Sequence, residues 1–303
     1  RDRPCPLARF GPAANENGTG ANAPDANAPD AWSLVASARL EAVLVSGPFG
    51  AGSRPELSFI DLKDASVSPL GGDDPAVRRE ASLSELGDAL VLAGGIDAAS
   101  GRASASAELF DPERRRFTGE TRSLSVPRAR HAAVSLAGGQ TLLIGGVSET
   151  GQALRSVEVL STGSARASRL YQLLEQPRIA PRAVLLEPDR ILVGGGYTLD
   201  ADQTRRPIES VEFVSTDFTD VTEPPIALVP PALDRAFVSL GAAGALAVGG
   251  CARVAGEADC IPCPEGCVSR AAWWIDALGT PHELEPLPAA LSVARPKLVA
   301  GAG

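Results

Sequence analysis

The 303-residue chain contains no methionine, only two histidines and two tyrosines, and 4% aromatic residues. With so few rings, its core must rest on Leu, Val, Ile and Ala. No apolar stretch approaches the roughly 18 residues of a spanning helix, which argues against a helical membrane segment. Cations are in deficit: 28 Lys and Arg face 37 Asp and Glu, giving a formal net charge of -9 and a pI near 4.9. That balance argues against general nucleic-acid binding, where a basic patch is expected. No secretory leader is visible, and the first residue is Arg1. An intact translation product begins with Met, so a processed, trimmed or partial chain is expected, and loss of a leader fits export.

Glycine and proline are plentiful, at 31 and 25 residues, and suit many short strands joined by turns. The dominant pattern is a short apolar run ending in a glycine pair. It appears as Leu90-Val91-Leu92-Ala93-Gly94-Gly95 and Thr141-Leu142-Leu143-Ile144-Gly145-Gly146. It returns as Ile191-Leu192-Val193-Gly194-Gly195 and Leu246-Ala247-Val248-Gly249-Gly250, with a weaker copy at Ala42–Gly47. Counted from glycines 94, 145, 194 and 249, the steps are 51, 49 and 55 residues. A period of about 50 residues is the mark of a repeat architecture.

Residues 1–30, with their near-repetitive Ala-Asn-Ala-Pro-Asp run, have little to bury and are expected to form a tether or surface loop. Within it, Asn17-Gly18-Thr19 matches a glycosylation sequon. From 31 to 303 the pattern predicts small antiparallel sheets of about four strands each. Their approximate bounds are 32–78, 79–127, 128–180, 181–232 and 233–294, with the start of a sixth unit at 295–303. Pro127-Arg128-Ala129-Arg130-His131 opens the third unit, Pro181-Arg182-Ala183 the fourth and Arg235-Ala236-Phe237 the fifth. Leu291-Ser292-Val293-Ala294-Arg295 echoes Leu124-Ser125-Val126-Pro127-Arg128.

Four of the five cysteines crowd together, at Cys251, Cys260, Cys263 and Cys267, inside an insert spanning 251–270. The expectation is two local disulfides in an exported protein, with the pairing open. A four-cysteine zinc site is the sharper alternative, but the paired short spacings of a zinc knuckle are missing. Cys5 is left over, free or paired outside this chain.

A four-stranded sheet of this size cannot bury both faces alone, whereas sheets stacked radially bury each face against a neighbour. Glycine pairs after the second strand tolerate positive φ and close backbone approach near an axis. Here the chain resembles the kelch-repeat family, in the superfamily of the galactose-oxidase central domain. Gly94, Gly95, Gly145, Gly146, Gly194, Gly195, Gly249 and Gly250 resemble its diglycines, and Glu108-Leu109-Phe110-Asp111-Pro112 and Val157-Glu158-Val159-Leu160 its third strand. Gly47-Pro48, Ser58 and Trp273 depart from the family pattern. The resemblance implies an all-β propeller of six or seven blades serving as a binding scaffold, of the secreted or envelope type found in bacteria.

Chemistry is thinly represented. A copper oxidase of that superfamily needs tyrosines and histidines converging on metal, and only Tyr171, Tyr197, His131 and His282 exist. No nucleophile elbow accompanies either histidine, and the glycine-rich stretches lack the Lys-Ser/Thr of a phosphate loop. No metal site or cofactor is expected. Glu108, Glu158 and Glu212 recur at equivalent strand positions, which predicts a repeated structural hydrogen bond.

The loops after the glycine pairs, near 96–105, 147–155, 197–209 and 251–270, differ in length and composition, as expected of a variable surface on a repeated frame. Asp200, Asp202, Arg205 and Arg206 in one, and Glu257, Asp259 and Glu265 in another, are the candidate binding residues. The expected function is a non-catalytic extracellular or cell-envelope scaffold for a protein or glycan ligand, with secreted, periplasmic or outer-surface placement. A secreted propeller enzyme, oxidase or glycan-active hydrolase, and a structural subunit completed by missing blades or neighbouring domains are the alternatives.

Overall fold

The computed structural model describes residues 33–37, 42–46, 57–70, 78–97, 100–163, 169–172, 174–186, 189–201, 205–217, 226–227, 232–233, 235–249, 251–252 and 270–287. The expected tether 1–30, most of the 251–270 insert and the partial unit 295–303 lie outside them. The described chain is nearly all β, with one three-residue 3-10 turn at Gly241–Ala243. It divides into two compact units, meeting in sequence between Gln172 and Leu173.

The first unit holds three antiparallel sheets of four strands, each joined in simple sequence order. The first sheet is β1 (Ser33–Ser37), β2 (Ala42–Ser46), β3 (Leu57–Asp61) and β4 (Ser66–Leu70). The second is β5 (Ser82–Leu86), β6 (Ala89–Ala93), β7 (Ser106–Asp111) and β8 (Arg116–Ser123). The third is β9 (Ala132–Leu136), β10 (Gln140–Ile144), β11 (Val157–Ser161) and β12 (Arg169–Tyr171).

The second unit has two such sheets. One comprises β13 (Arg182–Leu186), β14 (Arg190–Gly194), β17 (Ser210–Ser215) and β18 (Ile226–Ala227), with a two-stranded ribbon, β15 (Tyr197–Leu199) and β16 (Arg205–Pro207), inserted after β14. The other comprises β20 (Ala236–Ser239), β21 (Ala245–Val248), β23 (Ala272–Ile275) and β24 (Pro281–Glu283), with a short pair of β19 (Ala232–Leu233) and β22 (Cys251–Ala252) beside it.

Second strands are apolar runs because both of their faces are covered. Leu90, Val91, Leu92, Leu142, Leu143, Ile144, Ile191, Leu192 and Val193 are all fully buried. Outer strands such as β8 are exposed along most of their length. Phe59 and Phe110, with ring centroids 5.3 Å apart, fill the seam between the first and second sheets. Leu143 and Leu160 pack against Val91, Ala93 and Leu109 in the next seam. In the other unit, Phe213, Leu192 and Val211 face Ala245, Ala247 and Ile275. The turns after third strands share one device: Asp61, Asp111 and Asp276 each accept the N–H two residues on, at 2.9 Å.

A buried clamp recurs in three sheets. Arg128 donates to the Gly145 carbonyl at 2.9 Å and to Glu158 at 2.8 Å, and both side chains are fully buried. Arg178 donates to the Gly195 carbonyl at 3.0 Å and to Glu212 at 2.5 Å. Arg78 donates to the Gly94 carbonyl at 2.5 Å and to Glu108 at 2.8 Å. Each arginine thus ties the entrance of a first strand to the first glycine of the pair and to the third strand. The recurring glutamates therefore do carry the repeated hydrogen bond, and their partners are arginines spaced every 50 residues, at 78, 128 and 178.

Two registers differ from the sequence pattern. Positive φ falls on Gly94 and Gly95, and on Gly145 and Gly146, but in the fourth repeat on Gly195 and Gly196. Gly194 instead closes β14, where a methyl group would overlap the Phe237 ring. From 94, 145, 195 and 249 the steps become 51, 50 and 54. The counterpart of Arg128 in that repeat is Arg178, four residues before Arg182. In the last sheet Ala236 pairs Val248 as Ala132 pairs Ile144, so the clamp position is Ala232, and Arg235 stands where His131 stands.

Candidate functional site: the loops after the glycine pairs

Each of these loops departs from the same backbone feature. The residue after the glycine pair bridges back to the residue after the clamp arginine: Ile96 to Arg79, Val147 to Ala129, Tyr197 to Ile179. In the last sheet Cys251 pairs Leu233, the register equivalent. The reason is local. In the first three of these loops two left-handed glycines turn the chain out of its strand, and the bridge returns the freed N–H and C=O groups to partners. Arg79 and Ile96 exchange both bonds, at 3.1 and 2.6 Å, and Ile179 and Tyr197 exchange theirs at 2.8 and 2.9 Å.

Beyond the bridge the loops diverge. The 96–103 loop closes on an Ile96–Ala103 bridge, with Asp97 accepting the Ser100 N–H at 2.7 Å. The 147–153 loop closes on a Val147–Ala153 bridge, and Ser148 and Thr150 share a hydroxyl contact at 2.9 Å. The third grows into the β15–β16 ribbon, where Tyr197 pairs Pro207 and Leu199 pairs Arg205. The ribbon is braced by two contacts. Asp200 and Arg206 form an ion pair at 2.6 Å, and the Arg205 guanidinium stacks 4.8 Å above the Tyr197 ring. The Arg206 side chain is 60% exposed.

Of the residues expected to bind, the fold brings Asp200, Arg205 and Arg206 together on this ribbon. Asp202, Glu257, Asp259 and Glu265 lie outside the described residues, as do Gly250, Cys260, Cys263 and Cys267, and of Cys251 only the backbone pairing is described.

The histidines have partners of a different kind. His131 is buried, with Nε2 2.7 Å from Ser82 Oγ. Burial, reinforced by the Arg128 cation, pushes its imidazole down to about 3. This Ser–His pair has neither a carboxylate on Nδ1 nor an open face for a substrate, since both residues are below 10% exposed. His282 lies on the surface, 2.9 Å from Asp276 and stacked on Trp274 with centroids 4.7 Å apart. The His282 hydrogen bond is the main cause that holds the Asp276 carboxyl below its ordinary range. The same carboxylate caps the 276–280 turn through the Leu278 and Thr280 N–H groups. Among the described residues no group of three or more His, Cys, Asp or Glu is disposed to hold a metal ion.

A shallow cleft of about 440 Å³ lies at the opposite end of the second sheet, lined by Asp88, Asp111, Glu113, Thr118 and Arg122 among others. Two of its polar groups are engaged in the frame: Asp111 accepts two backbone N–H bonds and pairs with Arg114, and Arg122 donates to the Ser161 and Thr162 carbonyls.

No family model matches the chain, and neither does any curated protein. Solved structures do match. One, described as "Structure of YjhT", superposes with a TM-score of 0.63 over 88% of this chain and 86% of the other, at 11% sequence identity. At that identity the likeness speaks for the fold alone: this is an all-β, β-propeller-like chain.

Proposed function

We propose that this chain is a non-catalytic binding scaffold of kelch type, exported to the cell envelope or beyond, which presents the loops after its glycine pairs to a protein or glycan. One observation carries the reading. Ile96, Val147, Tyr197 and Cys251 occupy one backbone position in four repeats; the stretches that follow them differ in length and charge, and after Tyr197 the chain forms a ribbon where the first two loops close on a single bridge. A frame that holds its geometry while one set of loops varies is suited to recognition. The braced ribbon at 197–207 also gives up little entropy on binding, because Asp200–Arg206 and Arg205–Tyr197 already fix its side chains.

The test is a binding screen of the purified full chain against glycan and extracellular-protein arrays, with hits confirmed by calorimetry. It is repeated on an Asp200→Ala, Arg205→Ala, Arg206→Ala variant. A ligand lost at least tenfold in the variant at unchanged thermal stability supports the reading. Turnover by the purified chain in hydrolase or oxidase screens would sink it. The export half is tested separately by mass spectrometry of the unreduced protein. Two disulfides among Cys251, Cys260, Cys263 and Cys267 are expected, and four free thiols or one equivalent of zinc would count against it.

A further inference from the structure

The third repeat carries a polar defect that its neighbours lack. Arg78 Nε donates to the Gly94 carbonyl at 2.5 Å, and Arg178 Nε to Glu212 at 2.9 Å. In Arg128 the two Nη groups serve Gly145, Ser156 and Glu158, while the buried Nε–H meets no protein acceptor. This is also the repeat with a histidine three residues after the clamp arginine, where the others have Ala81, Pro181 and Arg235. The buried Nδ1 of that His131 has no protein partner either. The two orphaned atoms thus belong to one repeat, three residues apart in the chain, on residues that are 0% and 9% exposed. Both residues press on the same glycine: a methyl group on Gly94 would overlap the Arg128 carbonyl oxygen and come 2.8 Å from His131 Cε1.

We propose that a single water molecule joins Arg128 Nε to His131 Nδ1, and that it fixes His131 in the tautomer protonated at Nε2. Nε2–H then donates to Ser82 Oγ across the seam, over the 2.7 Å contact. Nδ1 is left as an acceptor, Arg128 Nε–H is a donor, and one water accepts from the second while donating to the first. The other tautomer turns Nδ1 into a second buried donor beside a cation, so that a water there could only accept from both and would give neither atom a hydrogen of its own. Neutral imidazole is required in both cases, in keeping with the depression of its protonation by burial and by Arg128.

Two measurements on the unaltered full chain decide this. Long-range ¹H–¹⁵N correlation spectra at neutral pH should show a pyridine-like Nδ1 and a pyrrole-like Nε2 for His131, and the reverse assignment overturns the proposal. A crystal structure resolving ordered solvent should place one water within hydrogen-bond distance of both atoms. A dry site, or a direct Arg128 Nε–His131 Nδ1 bond, overturns it equally.

Discussion

Arg128 and Glu158 have no exposed side-chain surface, and such a pair is tolerable only as a pair. Removing one partner strands a charge away from water, whereas removing both with compensating volume can be almost neutral. The repeats obey this rule. Where the last sheet lacks the glutamate, having Trp273 at its register, the arginine position is Ala232. Glu158→Gln should therefore cost about 3–5 kcal/mol of unfolding free energy. Adding Arg128→Met should recover a substantial part of that loss. Urea denaturation of the two single variants and the double variant checks the cycle, and strict additivity would contradict the pairing.

His131 makes a second prediction at this scale. Its folded pKa is depressed to about 3 from 6.5, so the folded state stays neutral while the unfolded state takes up a proton. Stability from this group is complete above pH 6.5 and is lost as the pH falls toward 3, by about 1.4 kcal/mol for each unit. Urea denaturation at pH 7.5 and 4.5 should show a smaller acid loss in a His131→Gln variant than in the parent. An equal loss in both would remove His131 as a cause.

Among elements, the glycine-terminated second strand is the least forgiving. At Gly95, where φ is +93°, a methyl group would come 2.7 Å from Ala81 Cβ and 2.8 Å from the Arg79 carbonyl oxygen. Gly95→Ala should destabilise by more than about 1 kcal/mol, because strain and overlap add. The β15–β16 ribbon should behave in the opposite way. Its base is fixed by the Ile179–Tyr197 bridge and by the Ile208 N–H on the Gly196 carbonyl at 3.0 Å, not by its tip. Replacing residues 199–205 with a tight turn should leave the thermal midpoint within a few degrees while deleting Asp200 and Arg205. Calorimetry of the shortened chain separates frame from recognition surface.

At the scale of the whole molecule, the clamp divides the five four-stranded sheets of the described residues. The second to fourth have buried Arg–Glu pairs. The first has Ser58 and the last Trp273 at the glutamate register. Within each unit the clamped sheets should be the slowest to exchange amide hydrogens, β5–β7 and β10–β11 in one, β14 and β17 in the other. Hydrogen-exchange mass spectrometry should find β2–β3 and β21–β23 faster than their clamped neighbours, and uniform protection would argue that the clamp adds nothing.

Much of this was legible in the residues. The repeat announces itself because left-handed backbone beside a strand end demands glycine, and glycine recurs there at near-constant spacing. The fourth copy slips by one because Gly194, Gly195 and Gly196 are consecutive, and composition cannot say which of them carries positive φ. The glutamates are visible as a recurrence, and arginines recur too, at 78, 128 and 178, but which arginine meets which glutamate is not visible. Clamp partners lie 30 residues apart in Arg128–Glu158 and 34 in Arg178–Glu212, on different strands, and Arg182 imitates the expected entrance motif. Of the candidate binding residues, Asp200 and Arg206 meet because the ribbon folds back on itself, a contact that charge pattern suggests but cannot place.

The sequence by itself determined that the chain is a repeat of small antiparallel sheets, because apolar runs and glycine pairs are local demands of the backbone. Tertiary structure alone decided which arginine meets which glutamate and which glycine turns the chain. It also decided that His131 is a buried neutral neighbour of Arg128 and not a surface base. Those outcomes depend on desolvation and on contacts between strands far apart in the chain, and neither is written in any single stretch of residues.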